Sequence, residues 1–139
     1  MSEPFEVLDH TADTGFRAWG QTVAELFENS ARAMMAIAVD TSAAESREER
    51  IITVEGEDYE SLLVNWLNEI LYLFDTNSFA PKQFHVEEIT PGRLKGRLVG
   101  EPRDPKRHPW TLIVKAVTYY ELRVEQRGDR WESQVFLDI

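Results

Sequence analysis

Near its start the sequence runs Asp9-His10-Thr11-Ala12-Asp13-Thr14-Gly15, two acids, a histidine and threonines beside a glycine. Near its end it runs Phe136-Leu137-Asp138-Ile139, an aspartate followed by a residue that can carry a main-chain carboxylate. Carboxylates at Asp13, Asp138 and Ile139 are hard oxygen donors. If the last strand returns beside the first hairpin, they would converge, and three negative charges brought together call for a cation. A divalent ion of the calcium type, with waters completing about 6–8 positions, suits such a set. Spacing by itself leaves the plainer alternative open, two surface aspartates near chain ends.

Other chemistries lack residues or spacing. The three histidines, His10, His85 and His108, form no His-x-x-x-His pair, so a histidine zinc site has no support. No serine lies in a Gly-x-Ser-x-Gly elbow. Neither a phosphate-cradling Gly-x-x-x-x-Gly-Lys loop nor a dinucleotide fingerprint occurs. Arg127-Gly128-Asp129 reads as hairpin turn chemistry between two alternating runs.

Several elements must position the carboxylates. Phe5–Leu8 and Phe16–Trp19 read as two strands around a glycine turn, with Asp13 near the tip. Thr22-Val23-Ala24-Glu25 is a capping box opening a helix with apolar Val23, Leu26, Phe27, Ala31, Met34, Ile37 and Ala38 on one face. Ile51–Glu55 reads as a strand. Asp58 caps a second helix whose wide apolar stripe, centred on Leu63, Trp66, Leu67 and Ile70, predicts the middle of the core. Ser61, Asn65, Asn68 and Tyr72 fall on its other face. The remainder reads as β: Phe84–Glu87, Arg93–Val99, a single long strand Leu112–Glu125 and a last strand Trp131–Ile139, with the proline-bearing stretch 100–110 as a loop. The pattern predicts one α+β domain over residues 1–139, a mostly antiparallel sheet packed against two amphipathic helices.

The 139 residues include 15 Lys/Arg against 25 Asp/Glu, a net charge of −10. That balance disfavours direct contact with a phosphate backbone. Residues 1–92 carry 5 basic and 18 acidic side chains, whereas residues 93–139 carry 10 and 7. The alternation of Arg93, Lys95 and Arg97 with Leu94, Gly96 and Leu98 reads as the solvated face of a strand. Cysteine is absent, which fits a cytoplasmic location. No apolar run reaches about 18 residues, and the first residues lack the pattern of a secretory signal.

Taken in order, four blocks resemble the archease family: Asp9–Gly15 with the capped helix bearing Glu25, Phe27 and Ala31; Leu62–Asp75; Gly100-Glu101-Pro102 with Arg107-His108 and Val114–Tyr119; and Phe136–Ile139. The resemblance implies a small α+β protein that is not an enzyme. It implies a protein cofactor that promotes guanylylation and multiple turnover of the RtcB-type RNA-splicing ligase, which joins tRNA halves. It implies a divalent metal ion, calcium with magnesium or manganese as alternatives, held by Asp13, Asp138 and the Ile139 carboxylate, with His10 and Asp9 supporting the loop. The expected partner is that ligase, with tRNA met only through it and no membrane involved. Arg103, Lys106 and Arg107 are candidates for contacting acidic ligase surface. The family often has histidine where this sequence has Tyr120, expected here to be a core or rim substitution. The alternatives are a chaperone-like protein-binding module and an enzyme using Asp13 and Asp138 as an acid–base pair.

Overall fold

The computed structural model describes residues 4–9 and 14–139. Asp13 and His10, and the side chain of Asp9, lie outside the described set. Among the described residues, eight strands and two helices follow in the order β1 (Phe5–Asp9), β2 (Thr14–Gly20), α1 (Val23–Ala38), β3 (Glu48–Glu55), α2 (Tyr59–Asp75), β4 (Ala80–Thr90), β5 (Arg93–Glu101), β6 (Ala116–Val117), β7 (Arg123–Arg127) and β8 (Arg130–Asp138). One antiparallel sheet has the order β1-β2-β8-β6, with β7 also paired to β8; the second has the order β3-β5-β4. The two helices pack against both sheets. This is the α+β architecture expected from the sequence.

Both helices start where their caps stand. The Thr22 hydroxyl accepts from the Glu25 amide at 3.1 Å, and Glu25 reaches back to the amide of Gln21 at 3.3 Å. Asp58 accepts from the Ser61 amide at 2.8 Å, and the Ser61 hydroxyl accepts from the Asp58 amide at 3.2 Å. These bonds satisfy amides that a first helical turn leaves without intrahelical partners.

The core centres on α2, as its stripe predicts. Leu62, Leu63, Trp66, Leu67, Ile70 and Phe74 are fully buried. The Trp66 indole donates to the carbonyl of Phe27 on α1 at 3.0 Å. Its ring lies over Gly96 of β5, where a Cβ would stand 2.5 Å from a ring carbon. The aromatic ring thus joins both helices to the three-stranded sheet. Between the helices and the other sheet, buried Ser30 and Ser133 hydrogen-bond at 2.9 Å.

Four expectations are corrected. The single long strand Leu112–Glu125 is two strands, β6 and β7, separated by a turn in which Glu121 takes a left-handed φ of 47°. Bonds invisible to local periodicity cause the break. Asn68 of α2 accepts from the Val117 amide, and the Thr118 hydroxyl both donates to the Phe136 carbonyl and accepts from the Tyr120 amide. Tyr120 therefore leaves the face of Val124 and stands 56% exposed, its ring edge-on to Phe136; it is a rim residue. Strand β4 extends well beyond Phe84–Glu87 and admits Pro81 where the register shifts at an edge, a place that tolerates a missing donor. Strand β3 begins at Glu48, ahead of Ile51. Gly15 is not a turn residue but part of β2.

The loop after β5 closes around a buried carboxylate. Glu101 accepts from Arg107 at 2.5 Å and from the Glu45 amide. The fully buried His108 accepts through Nδ1 from the Asp104 amide at 2.9 Å. A neutral ring then carries its proton on Nε2, which faces Glu101 at 3.7 Å. Burial pushes the Glu101 carboxyl up, but the Arg107 and Glu45 hydrogen bonds and the positive charge of Arg107 outweigh it and hold the carboxyl below its ordinary 4.5. A depressed carboxyl stabilises the fold above its unfolded value and loses that contribution as pH falls through its folded value. In acid titrations of the thermal midpoint, Glu101→Gln is expected to lie clearly below the native protein above pH 4.5 and to converge on it as the pH falls further. A pH-independent difference would show that ionised Glu101 is not what holds the loop.

Candidate metal centre

The site is built on the pairing of β2 with β8. Their antiparallel register sets Thr14 opposite Leu137, Gly15 opposite Phe136 and Arg17 opposite Gln134. The return of the last strand to the first hairpin, on which convergence depends, is therefore present. Asp13 is covalently joined to Thr14, as Asp138 is to Leu137.

Side chains alternate along β8. Val135 and Leu137 belong to the core cluster, whereas Phe136, although only 2% exposed, stands outside it. Phe136 is buried on the outer face, covered by Tyr120 and pressed onto Gly15. A Cβ at position 15 would lie 2.4 Å from the Val135 carbonyl oxygen and 2.7 Å from the Phe136 ring. The glycine of the first motif thus serves close approach between strands, and it fixes the end of β8 against the start of β2.

Beyond Phe136 on the same face comes Asp138. Its backbone pairs with Ala116, and its carbonyl accepts from the Lys115 amide at 2.8 Å. Its side chain is exposed and forms no ion pair among the described residues. Ile139 follows, 41% exposed. An exposed carboxylate in no ion pair among the described residues, followed by a second potential main-chain carboxylate, has the hard-donor chemistry that suits a divalent ion. Among the described residues alone, no group of three or more histidine, aspartate or glutamate side chains comes together as a cage; the candidate set also draws on Asp13. On the motif side, the Thr14 hydroxyl donates to the Leu8 carbonyl at 3.4 Å, and β1 pairs with β2 up to Asp9 opposite Thr14.

Two of the three basic side chains expected to face a partner also make contacts within the fold. Arg103 lies over the Phe74 ring, 3.9 Å from its centroid, and donates to the carbonyls of Phe74 and His108. It closes the end of α2, whose last carbonyls favour a cation. Arg107 is bound to Glu101 and to the Ala43 carbonyl. Both guanidiniums thus serve the fold. Arg97 of β5 likewise bridges Glu87 and Glu49, as expected of a solvated strand face.

Fold and site together define a small two-sheet α+β protein with a carboxylate displayed at an open strand end. The archease family profile, described as "Archease protein family (MTH1598/TM1083)", matches residues 5–139, and the chain belongs to this family. Protein archease of Methanosarcina mazei is 42% identical over 143 residues, covering 100% of this chain and 98% of that protein. Protein archease of Methanopyrus kandleri is 37% identical over 139 residues, covering 98% and 99%. The solution structure of Methanobacterium thermoautotrophicum protein 1598 aligns with a TM-score of 0.79 at 36% identity, covering 99% of this chain and all of that one. A Thermotoga maritima crystal structure described as an archease and possible chaperone shares the fold, with a TM-score of 0.67 at 21% identity over 100% and 98% of the two chains.

Proposed function

We propose that the protein is a non-enzymatic activator of an RtcB-type RNA-splicing ligase, promoting its guanylylation and multiple turnover from a metal-binding acidic tip. The observation that carries this reading is the exposed Asp138 side chain at the end of β8, in no ion pair among the described residues and held near Thr14 by the β2–β8 register. Asp13, Asp138 and the Ile139 carboxylate would hold the ion, calcium or else magnesium or manganese. A divalent ion held there would supply positive charge to offset the negative charge of phosphate groups during nucleotidyl transfer. The Gly15–Phe136 contact orients the strand end, and exposure lets the tip enter a partner's site. The net charge of −10 keeps RNA at a distance, so tRNA is reached only through the ligase.

A chaperone-like module remains the second reading. One observation favours it: a groove of about 740 Å³ between α2 and residues 113–116, flanked by exposed Tyr72 and Ile113. One experiment separates the two. Ligase guanylylation and turnover are measured with an N-terminally tagged protein, a C-terminally tagged one and one lacking Ile139, with divalent-ion binding followed by calorimetry. A C-terminal tag converts the Ile139 carboxylate to an amide, and deletion moves the terminal carboxylate one residue, about 3.3 Å along a strand. Only the N-tagged form is expected to bind the ion and stimulate the ligase. Equal stimulation by all three would remove Ile139 from the site, and suppression of ligase aggregation without faster guanylylation would favour the chaperone.

A further inference from the structure

A second site lies on the same outer face of the five-stranded sheet. Arg17 on β2 and Arg123 on β7 both stand opposite Gln134 of β8, so the three form one row across three strands. Arg17 donates through Nε to the Gln134 Oε1 at 3.1 Å, and Arg123 donates to the same oxygen at 2.7 Å. The amide is held in place because its Nε2 donates to the Glu121 carbonyl at 3.0 Å. That bond fixes which end of the amide is oxygen. The turn that splits β6 from β7 thereby also aims Gln134.

Two guanidiniums meeting at one neutral oxygen are unusual company in a chain with 25 acidic residues. Arg17 is 3.3 Å from Glu6, a contact in which both side chains are about half exposed. Arg123 has no ion pair at all among the described residues. The row lines a concavity of about 370 Å³. The other carboxylates lining it, Glu125 and Glu132, are already engaged by Arg127 and Arg130.

We propose that Arg17 and Arg123, held on either side of the Gln134 amide, form a binding site for a phosphate group. The two forks approach from strands on either side of β8, roughly two strand spacings or 10 Å apart at the backbone. A planar carboxylate is served by one fork. A tetrahedral oxyanion has acceptor oxygens for both, with the Gln134 side chain between them. Gln134 precedes Asp138 by four residues on the same face, about 13–14 Å along the strand. A phosphate-bearing ligand and a cation at the strand end are thus presented to the same side, across the Phe136–Tyr120 ledge. A mononucleotide or an RNA backbone could supply the phosphate, and the net charge of −10 opposes the longer polyanion.

The test is a titration of the free full-length protein, followed by the arginine Nε–Hε resonances, in chelator so that no cation at the strand end can hold the anion. Inorganic phosphate, a nucleoside 5′-monophosphate, a short single-stranded RNA and acetate are the probes. The Arg17 and Arg123 signals are expected to move saturably with inorganic phosphate and the monophosphate, while those of Arg103 and Arg107, bound within the fold, stay still. Arg123→Gln is expected to weaken phosphate binding about tenfold, the loss of one charge-assisted hydrogen bond. Arg123→Lys, which keeps the charge without the fork, should restore only part of it. Saturable RNA binding with no response to the monophosphate would move the site to nucleic acid and overturn the mononucleotide preference. Equal shifts with acetate, or shifts that never saturate, would overturn the phosphate site.

Discussion

Asp138→Ala is expected to abolish ligase stimulation and to reduce calorimetric divalent-ion binding below detection, while the thermal midpoint stays at the native value. The side chain is exposed at the end of β8 and is no part of the core cluster, and substitutions of this kind leave stability almost unchanged. Its backbone bond with Lys115 needs no side chain and survives the change. Asp13→Ala is expected to do the same to the activity. The contrast between intact folding and lost stimulation gives the experiment its force, because a structural role would move both together. Full stimulation by either purified variant would end the acidic-tip reading.

Trp66→Ala carries the largest expected stability change. Truncating a fully buried tryptophan costs about 3–5 kcal/mol, a large part of the roughly 5–15 kcal/mol that stabilises a domain. Here the loss has two further causes. The Phe27 carbonyl is left without its indole donor, and the face of Gly96 is stripped of the ring that covers it. Urea unfolding should show a far lower midpoint. Trp66→Phe keeps most of the volume and gives up the hydrogen bond, so it should cost distinctly less. A Trp66→Ala protein with a native midpoint would mean that the core is not centred on α2.

Both helices were legible from residue types alone. Their apolar periods and the Thr22 and Asp58 caps act within a few residues, and such signals are local. The return of the chain end to the first hairpin was legible in outline, and the register made it specific by setting Thr14 against Leu137. Alternation predicts one long strand through residue 120 because it does not reveal where a helix will compete for an amide. Asn68 takes the Val117 amide from 49 residues away. Gly15 reads locally as a turn because a glycine beside Asp and Thr usually is one; the Phe136 ring that requires it lies at the far end of the chain. The Arg17–Gln134–Arg123 row left no trace in the sequence for the same reason, and neither did the inward engagement of Arg103 and Arg107.

The separation of those partners also sets the order in which the molecule comes together. The hairpins β1–β2, β4–β5 and β7–β8 join neighbours in the chain and can form early. The bond between Arg17 and Gln134 spans 117 residues. Closing a loop of that length costs about 2 kcal/mol more entropy than closing one of about ten residues, and pairings so distant slow folding towards milliseconds or seconds. The seam between β2 and β8 is therefore a late event. Until that seam closes, Asp138 is far from Thr14. Assembly of the strand end thus reports that the whole chain has folded, and only a finished molecule can present it to a partner.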